Sequence, residues 1–344
     1  MKLNKQDVAE ALKTITAPGA RENLLDSKSV SNIMVFGDEI DLDIRLTNPS
    51  LQARKKLEVT IMDVLHQKIH PRAKIKINTR FERPKTLPPI KGKPIPGIDS
   101  IIAISSGKGG VGKSTVAINL AFALQKLGLK IGILDADVYG PSLPKLLNLN
   151  EKPKSEDNKT IMPLEKFGVQ CMSMGLLIDE QTPMMWRGPM VISAIKTMTQ
   201  KVLWKDRDVI IIDMPPGTGD TQLTFVQEVK IDGAIIVSTP QDLALLDVKR
   251  GIQMFEKTGV KILGLIDNMS FFEGDDGKKY KIFGEGGVEK TAKEFDKEFL
   301  GFLPLNEDLR TSADNGEPLT YSKPDHKISK ILIEIAKKIK QSFL

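Results

Sequence analysis

Cysteine is nearly absent: Cys171 is the only one in 344 residues. A single thiol excludes an internal disulfide framework and leaves no Cys-x-x-Cys pair for metal, cluster or redox chemistry. Long apolar runs are missing too, since nothing approaches the roughly eighteen consecutive apolar residues of a membrane span. The opening MKLNKQDVAEALKTI scatters charges where a secretory signal would place an apolar block, so a cytoplasmic chain is expected. Nor is charge of one sign gathered into a tract. The 50 Lys+Arg against 44 Asp+Glu leave a net +6, spread too evenly to indicate nucleic-acid binding. No internal repeat or long low-complexity tract is present. What the chain does have is length and 40% hydrophobic residues, enough for one large core and a smaller companion domain.

The sequence changes character at residues 84–97, PKTLPPIKGKPIPG. Proline and glycine there hold neither a helix nor a central strand, so a semi-rigid linker is expected between a domain at 1–83 and another at 98–344. In the first domain, residues 24–50 suggest short strands turning near Gly37 and Asp38. Leu57, Ile61, Val64, Leu65 and Ile69 then share one helical face, and AKIKIN reads as a closing strand. This is a small α+β domain. After the linker, short apolar runs (IIAIS, KIGILDAD, VQCMSMG, VIIIDMP, GAIIVSTP, VKILGLIDNM, FLGFLPL) alternate with helical segments. Runs without polar alternation are strands buried on both faces, so the fold class is α/β, a doubly wound, mainly parallel sheet. Ligands bind such sheets at the C-terminal ends of the strands.

The strongest motif lies at one of those ends. ISSGKGGVGKST, residues 104–115, places Gly107, Gly112, Lys113 and Ser114 in the order G-x-x-x-x-G-K-[ST], after the strand SIIAIS and before the helical STVAINLAFALQKLG. Glycines let backbone N–H groups turn inward around phosphate oxygens, and the helix N-terminus adds partial positive charge. The nucleotide-binding residues are therefore expected to be Gly107, Lys108, Gly109, Gly110, Val111, Gly112, Lys113, Ser114 and Thr115. Lys113 would bridge the β- and γ-phosphates of ATP, and Ser114 would hold Mg²⁺. Asp135 and Asp137 end the strand of ILDADVYGPS, where alternation points both to one side. VIIIDMPPGTGD is Walker-B-like: Asp213 would reach Mg²⁺ through water, and the Gly217 N–H would sense the γ-phosphate. Either aspartate position could instead cap a following helix.

The second lysine, Lys108, makes the loop resemble the deviant Walker A motif of the family that includes MinD, ParA, nitrogenase iron protein and Mrp/ApbC. That resemblance implies a homodimer in which Lys108 reaches the phosphates held by the other protomer. It also implies that Asp137 orients the attacking water, with Asp135 in support, and that Asn268 in LGLIDNMSFF, at a strand end, reads the adenine edge. Lys108, Lys113 and Asp137 are thus the expected catalytic set. DADVYGPSLPKLL, PMMWRGPMVISAI, IIDMPPGTGDTQLT, STPQDLALLDVKRGIQMF, NMSFF and IFGEGG resemble the Mrp/ApbC iron–sulfur cluster carriers in order and spacing, and the small N-terminal domain resembles the one often fused ahead of them. The resemblance implies slow ATP hydrolysis serving transfer of a [4Fe–4S] cluster to apoproteins, with iron–sulfur assembly proteins as partners.

The sequence departs from that family between NMSFF and IFGEGG. Many members carry Cys-x-x-Cys there, and two protomers clasp the cluster; here the stretch reads EGDDGKKYK. The cluster ligands are therefore unassigned. Cys171 reads as a small buried hydrophobe, and Glu273, Asp275 and Asp276 read as a polar turn. His66 and His70, at i and i+4, lack a third metal ligand. An adaptor that docks partners without its own cluster is the alternative function. A third reading, a membrane- or DNA-positioning ATPase, rests on the C-terminal PDHKISKILIEIAKKIKQSFL, where Ile328, Ile331, Leu332, Ile335 and Ile339 share a helical stripe. A helix packed on the sheet shows the same stripe and is the preferred reading.

Overall fold

The computed structural model describes residues 4–16, 23–27, 29–46, 51–81, 92–155, 160–177 and 188–343. The chain divides into two compact units, Met1–Thr86 and Leu87–Leu344.

In the first unit, α1 (Lys5–Leu12) is capped by Asn4, whose side-chain oxygen accepts from the Gln6 N–H at 3.1 Å. β1 (Val30–Phe36) and β2 (Glu39–Leu46) form an antiparallel hairpin. Its turn is where the sequence suggested, and Gly37 takes φ 61°, which a side chain would resist. α2 (Leu51–Lys68) carries the chain back so that β3 (Lys74–Phe81) pairs parallel to β2. Period-two Ile40, Leu42 and Ile44 meet Leu57, Ile61 and Leu65 from α2 and Val8 and Leu12 from α1, all buried. His66 of α2 and His70 just beyond it are engaged locally. His66 Nε2 lies 3.0 Å from the Ala73 carbonyl, and His70 Nδ1 accepts from the Arg72 N–H at 3.1 Å.

The second unit is built on nine strands: β4 (Ile98–Ser105), β5 (Ile131–Asp135), β6 (Leu164–Lys166), β7 (Val169–Ser173), β8 (Arg207–Asp213), β9 (Gly233–Ser238), β10 (Lys261–Glu273), β11 (Lys279–Tyr280) and β12 (Phe299–Leu305). Their order is β11-β10-β9-β4-β8-β5-β7-β6, with β12 also on β10. Every expected apolar run is a strand of the parallel body. The short β6 and β11 are antiparallel, and neither carries an apolar run by which the sequence would show it. Alternate residues of each run feed opposite layers, as Ile102 and Ile104 go to one core and Ile101 and Ala103 to the other. The first layer is covered by α3 (Lys113–Lys126), α4 (Leu143–Leu146), α9 (Glu307–Asp314), α10 (Leu319–Ser322) and α11 (Lys327–Phe343). The second is covered by α5 (Gly188–Lys196), α6 (Asp220–Glu228), α7 (Asp242–Thr258) and α8 (Gly287–Glu294).

Two sequence expectations meet the structure here. Of stretch 84–97, residues 84–91 lie outside the described residues, whereas 92–97 pack on the second unit: Lys93 bridges Val229, and Ile95 is buried. The C-terminal stripe is taken up by the fold. Ile328, Leu332, Ile335 and Ile339 are at most 2% exposed, with α11 against α3 and β12. Ile331, the fifth residue of the stripe, is half-buried against the same core. Among the described residues no helix is long and apolar enough to cross a membrane. Residues 183–187 of PMMWRGPMVISAI also lie outside the described residues.

Candidate functional site

Parallel register brings three strand ends into one row. Ile104 of β4 pairs with Asp213 of β8, and Asp213 pairs with Asp135 of β5. Beyond β4 the chain loops through Gly112, whose φ of 79° places α3 directly behind the loop without a side-chain cap. Helix-start N–H groups left without a cap attract anions. Gly110 is also left-handed at φ 82°. Among the described residues no group accepts from the N–H of Gly109, Gly110 or Gly112, and all three line a cavity of about 220 Å³ with Ser106, Lys108, Lys113, Ser114, Thr115, Asp137 and Pro216. This cradle of free donors beside two lysines is chemically suited to a polyphosphate.

The remaining expected residues surround or support that cavity. Gly107 lies against α7, where a Cβ would strike the Asp247 backbone and Cβ. Lys108 is exposed and has no ion-pair partner among the described residues. Lys113 Nζ is ion-paired with Asp213 Oδ1, and both side chains are buried. The same two groups are those expected to take phosphate and a Mg²⁺-bound water. Ser114 and Asp213 provide the hydroxyl and carboxylate oxygens that suit Mg²⁺. Asp137 faces the cavity, and its Oδ1 accepts from the N–H groups of Tyr139 and Gly140, both at 3.2 Å.

Asp135 does not point into the cavity with Asp137, because β5 ends at Asp135 and strand alternation stops there. Its carboxylate is fully buried and organises the following loop. It accepts from the N–H groups of Asp137 (3.0 Å), Ser142 (2.9 Å) and Leu143 (3.0 Å) and from Ser173 Oγ (3.0 Å). Burial and the neighbouring Asp213 charge push its pKa above the usual carboxylate range, and the donated hydrogen bonds oppose that shift. The Gly217 N–H donates to the Ser106 carbonyl at 3.0 Å. In this structure it is therefore turned to the loop's first carbonyl and not into the cavity.

Asn268 does not end its strand: β10 continues to Glu273, and the left-handed Met269 (φ 55°) and a register shift before Phe272 bend it. The Asn268 Nδ2 donates to the Val111 carbonyl at 2.8 Å, so a strand two places from β4 holds the phosphate loop. Asn268 and Met269 also border a second cavity of about 700 Å³, which shares Gly112 and Thr115 with the first. Another wall is Pro304, Leu305, Asn306, Glu307, Leu309 and Arg310, running from the end of β12 into α9. Sequence reasoning missed this wall. The available signal was Asn306, whose side chain accepts from the Leu309 N–H at 3.1 Å and starts α9.

Asp267, next to Asn268, is fully buried, and neither carboxylate oxygen has a hydrogen-bond partner. Burial raises its pKa to about 7. The residues considered as metal or cluster ligands are not brought together. Cys171 is fully buried, with Sγ 3.7 Å from the Val169 carbonyl, and burial pushes its thiol pKa far up. Glu273 pairs with Lys327 at 2.8 Å, and Asp276 pairs with Lys278 in the turn. Among the described residues no group of three or more His, Cys, Asp or Glu is placed to hold a metal ion.

Comparison with known proteins supports the geometry. Residues 97–340 match the family of NUBPL iron-transfer P-loop NTPases, and residues 5–77 match a family described as iron–sulfur cluster assembly protein. An iron–sulfur cluster carrier protein of Aquifex aeolicus is 40% identical over 98% of this chain and 97% of its own. A mitochondrial iron–sulfur protein required for NADH dehydrogenase in Arabidopsis thaliana is 49% identical over 71% of this chain and 78% of its own. Among solved structures, a nucleotide-binding protein from Archaeoglobus fulgidus in complex with ADP is 38% identical, with a TM-score of 0.59 over 66% of this chain and 90% of that one. The Pyrococcus furiosus cell division ATPase MinD, 22% identical, shares the fold with a TM-score of 0.54 over 71% of this chain and 99% of that one. With its phosphate loop, its buried Lys113–Asp213 pair and these relatives, the chain belongs to the family of NUBPL iron-transfer P-loop NTPases.

Proposed function

We propose that this chain binds and slowly hydrolyses Mg²⁺–ATP as a homodimer and uses the cycle to move iron–sulfur clusters to apoproteins, together with assembly proteins. The carrying observation is the cradle of free N–H donors around Gly109, Gly110 and Gly112, adjoining an apolar cavity large enough for a nucleoside. The triphosphate occupies the smaller cavity, and adenosine lies between Asn268 and the Pro304–Arg310 wall. Lys113 would leave Asp213 for the β- and γ-phosphates, and Asp213 and Ser114 would hold Mg²⁺, which when bound neutralises phosphate charge. One cation and one anion exchange partners, so no buried charge is left uncompensated. Asp137 orients the attacking water, and Lys108 of each protomer meets the phosphates of the other. The Gly217 N–H exchanges the Ser106 carbonyl for the γ-phosphate, which makes hydrolysis a conformational signal.

Phosphate release from purified protein with Mg²⁺–ATP tests the reading. Lys113→Ala and Asp137→Ala should each lower turnover at least ~100-fold, with Lys113→Ala also losing ATP affinity. Near-normal hydrolysis by either variant would sink the assignment. Sedimentation with a non-hydrolysable ATP analogue should show dimers for the wild type and monomers for Lys108→Ala. No partner role for nucleic acid or membrane is included.

A further inference from the structure

The relatives are named as cluster carriers, and clusters are held predominantly by cysteine thiolates. This chain contains one cysteine, so two copies offer two thiols. Neither is accessible. Cys171 sits in the middle of β7, paired on one side with Ile133 of β5 and on the other with Leu164 of β6, and no part of it reaches solvent. It belongs to the core layer under α3, and exposing it means opening that layer. Of the acidic candidates Glu273, Asp275 and Asp276, two are committed elsewhere, and Asp275 stands there without a second ligand among the described residues. Glu273 is tied to Lys327 on α11, Asp276 closes its own turn through the Lys278 N–H at 3.0 Å, and no other acidic or histidine cluster of ligand size exists among the described residues.

We infer that this protein contributes no ligand to the cluster, and that at every stage the cluster is held by exposed cysteine thiolates of partner polypeptides, first the donor's and then the recipient's. This deepens the proposed function and rests on it. The ATP cycle then acts on a protein-bound cluster: it docks and releases the cysteine-bearing partner, and transfer proceeds by ligand exchange. Each iron–thiolate bond to the donor breaks as a recipient thiolate binds that iron. The incoming thiol's proton goes to the departing thiolate, and no electron is exchanged.

The test is anaerobic incubation of the full chain, wild type and Cys171→Ala, with ferrous iron and sulfide in a thiol-free reductant. Desalting follows, then iron, sulfide and visible absorption, with ATP turnover measured on the same samples. Expected is loss of iron and sulfide to buffer levels in both proteins. A retained cluster overturns the inference either way: its loss in Cys171→Ala would make that thiol a ligand, and its survival would reveal non-thiolate ligands. The wild-type result stands even if Cys171→Ala fails to fold. Absent ATP turnover with no retained iron would sink the proposed function while leaving the ligand assignment intact. In a second arm, an apo-ferredoxin is supplied with a cluster held by the exposed cysteines of a separate scaffold polypeptide. The chain with Mg²⁺–ATP should speed cluster acquisition severalfold while remaining iron-free after separation, and an unchanged rate overturns action on a partner-held cluster.

Discussion

At the scale of single residues, Asp267 is the sharpest departure from expectation. A carboxyl with no exposed surface and no donor is costly when ionised. Its pKa stands at about 7 in the folded chain, against about 4 when unfolded. Between those values the native state holds a proton that the unfolded chain lacks, so this residue's contribution falls as pH rises from about 4 to about 7 and stays low above. Between pH 5 and pH 8 the stability of Asp267→Asn relative to the wild type should rise by on the order of 2 kcal/mol; thermal melts across that range read the difference, and a gap independent of pH would refute it. Sequence could not have shown this, since DNMS reads as polar residues near a strand end and only packing against neighbouring strands isolates the carboxyl. That Gly112, Lys113 and Ser114 would meet at one cavity was legible because the motif fixes residue types at fixed spacing between a strand and a helix. That Asp135 and Asp137 do not point to one side was visible only once β5 was seen to stop at Asp135.

Among elements, strands buried on both faces announced themselves as apolar runs, and helices with a single apolar face as stripes. α11 shows the limit of the second signal, because a membrane-surface helix and a packed one share it. In the structure Leu332 lies at the centre of the stripe and is 1% exposed. Leu332→Ala should therefore lower stability by ~2–5 kcal/mol, the range for a buried leucine truncation, as read by urea unfolding. The wild type should not sediment with anionic vesicles, with or without ATP, and ATP-dependent sedimentation would restore the membrane reading. The wall at Pro304–Arg310 escaped notice because its residues do their work by shape, following β12 around a corner, and carry no fixed spacing.

Across the whole molecule, the described core residues of the first unit lie between Val8 and Ile77 and those of the second between Ile95 and Phe343. Each compact unit thus has a core of its own stretch of chain, and such units can unfold as separate cooperative units. Calorimetry should show two transitions, of which Mg²⁺–ATP raises only the larger; a single transition shifted as one would contradict this. The change of pattern after the Pro-rich stretch carried this division in the sequence, although residues 92–97 pack on the second unit, where Ile95 finds its core. β10 gives the molecule a further property. It is clamped to the phosphate loop at Asn268, jointed at left-handed Met269, and runs on to Glu273, roughly 16 Å beyond the clamp at about 3.3 Å per residue. One end is held at the Val111 carbonyl of the glycine-rich loop, and the other is fastened by pairing with β12 and β11 and by the Glu273–Lys327 ion pair. A single stretch of covalent backbone therefore joins that loop to α11 and to the far edge of the sheet.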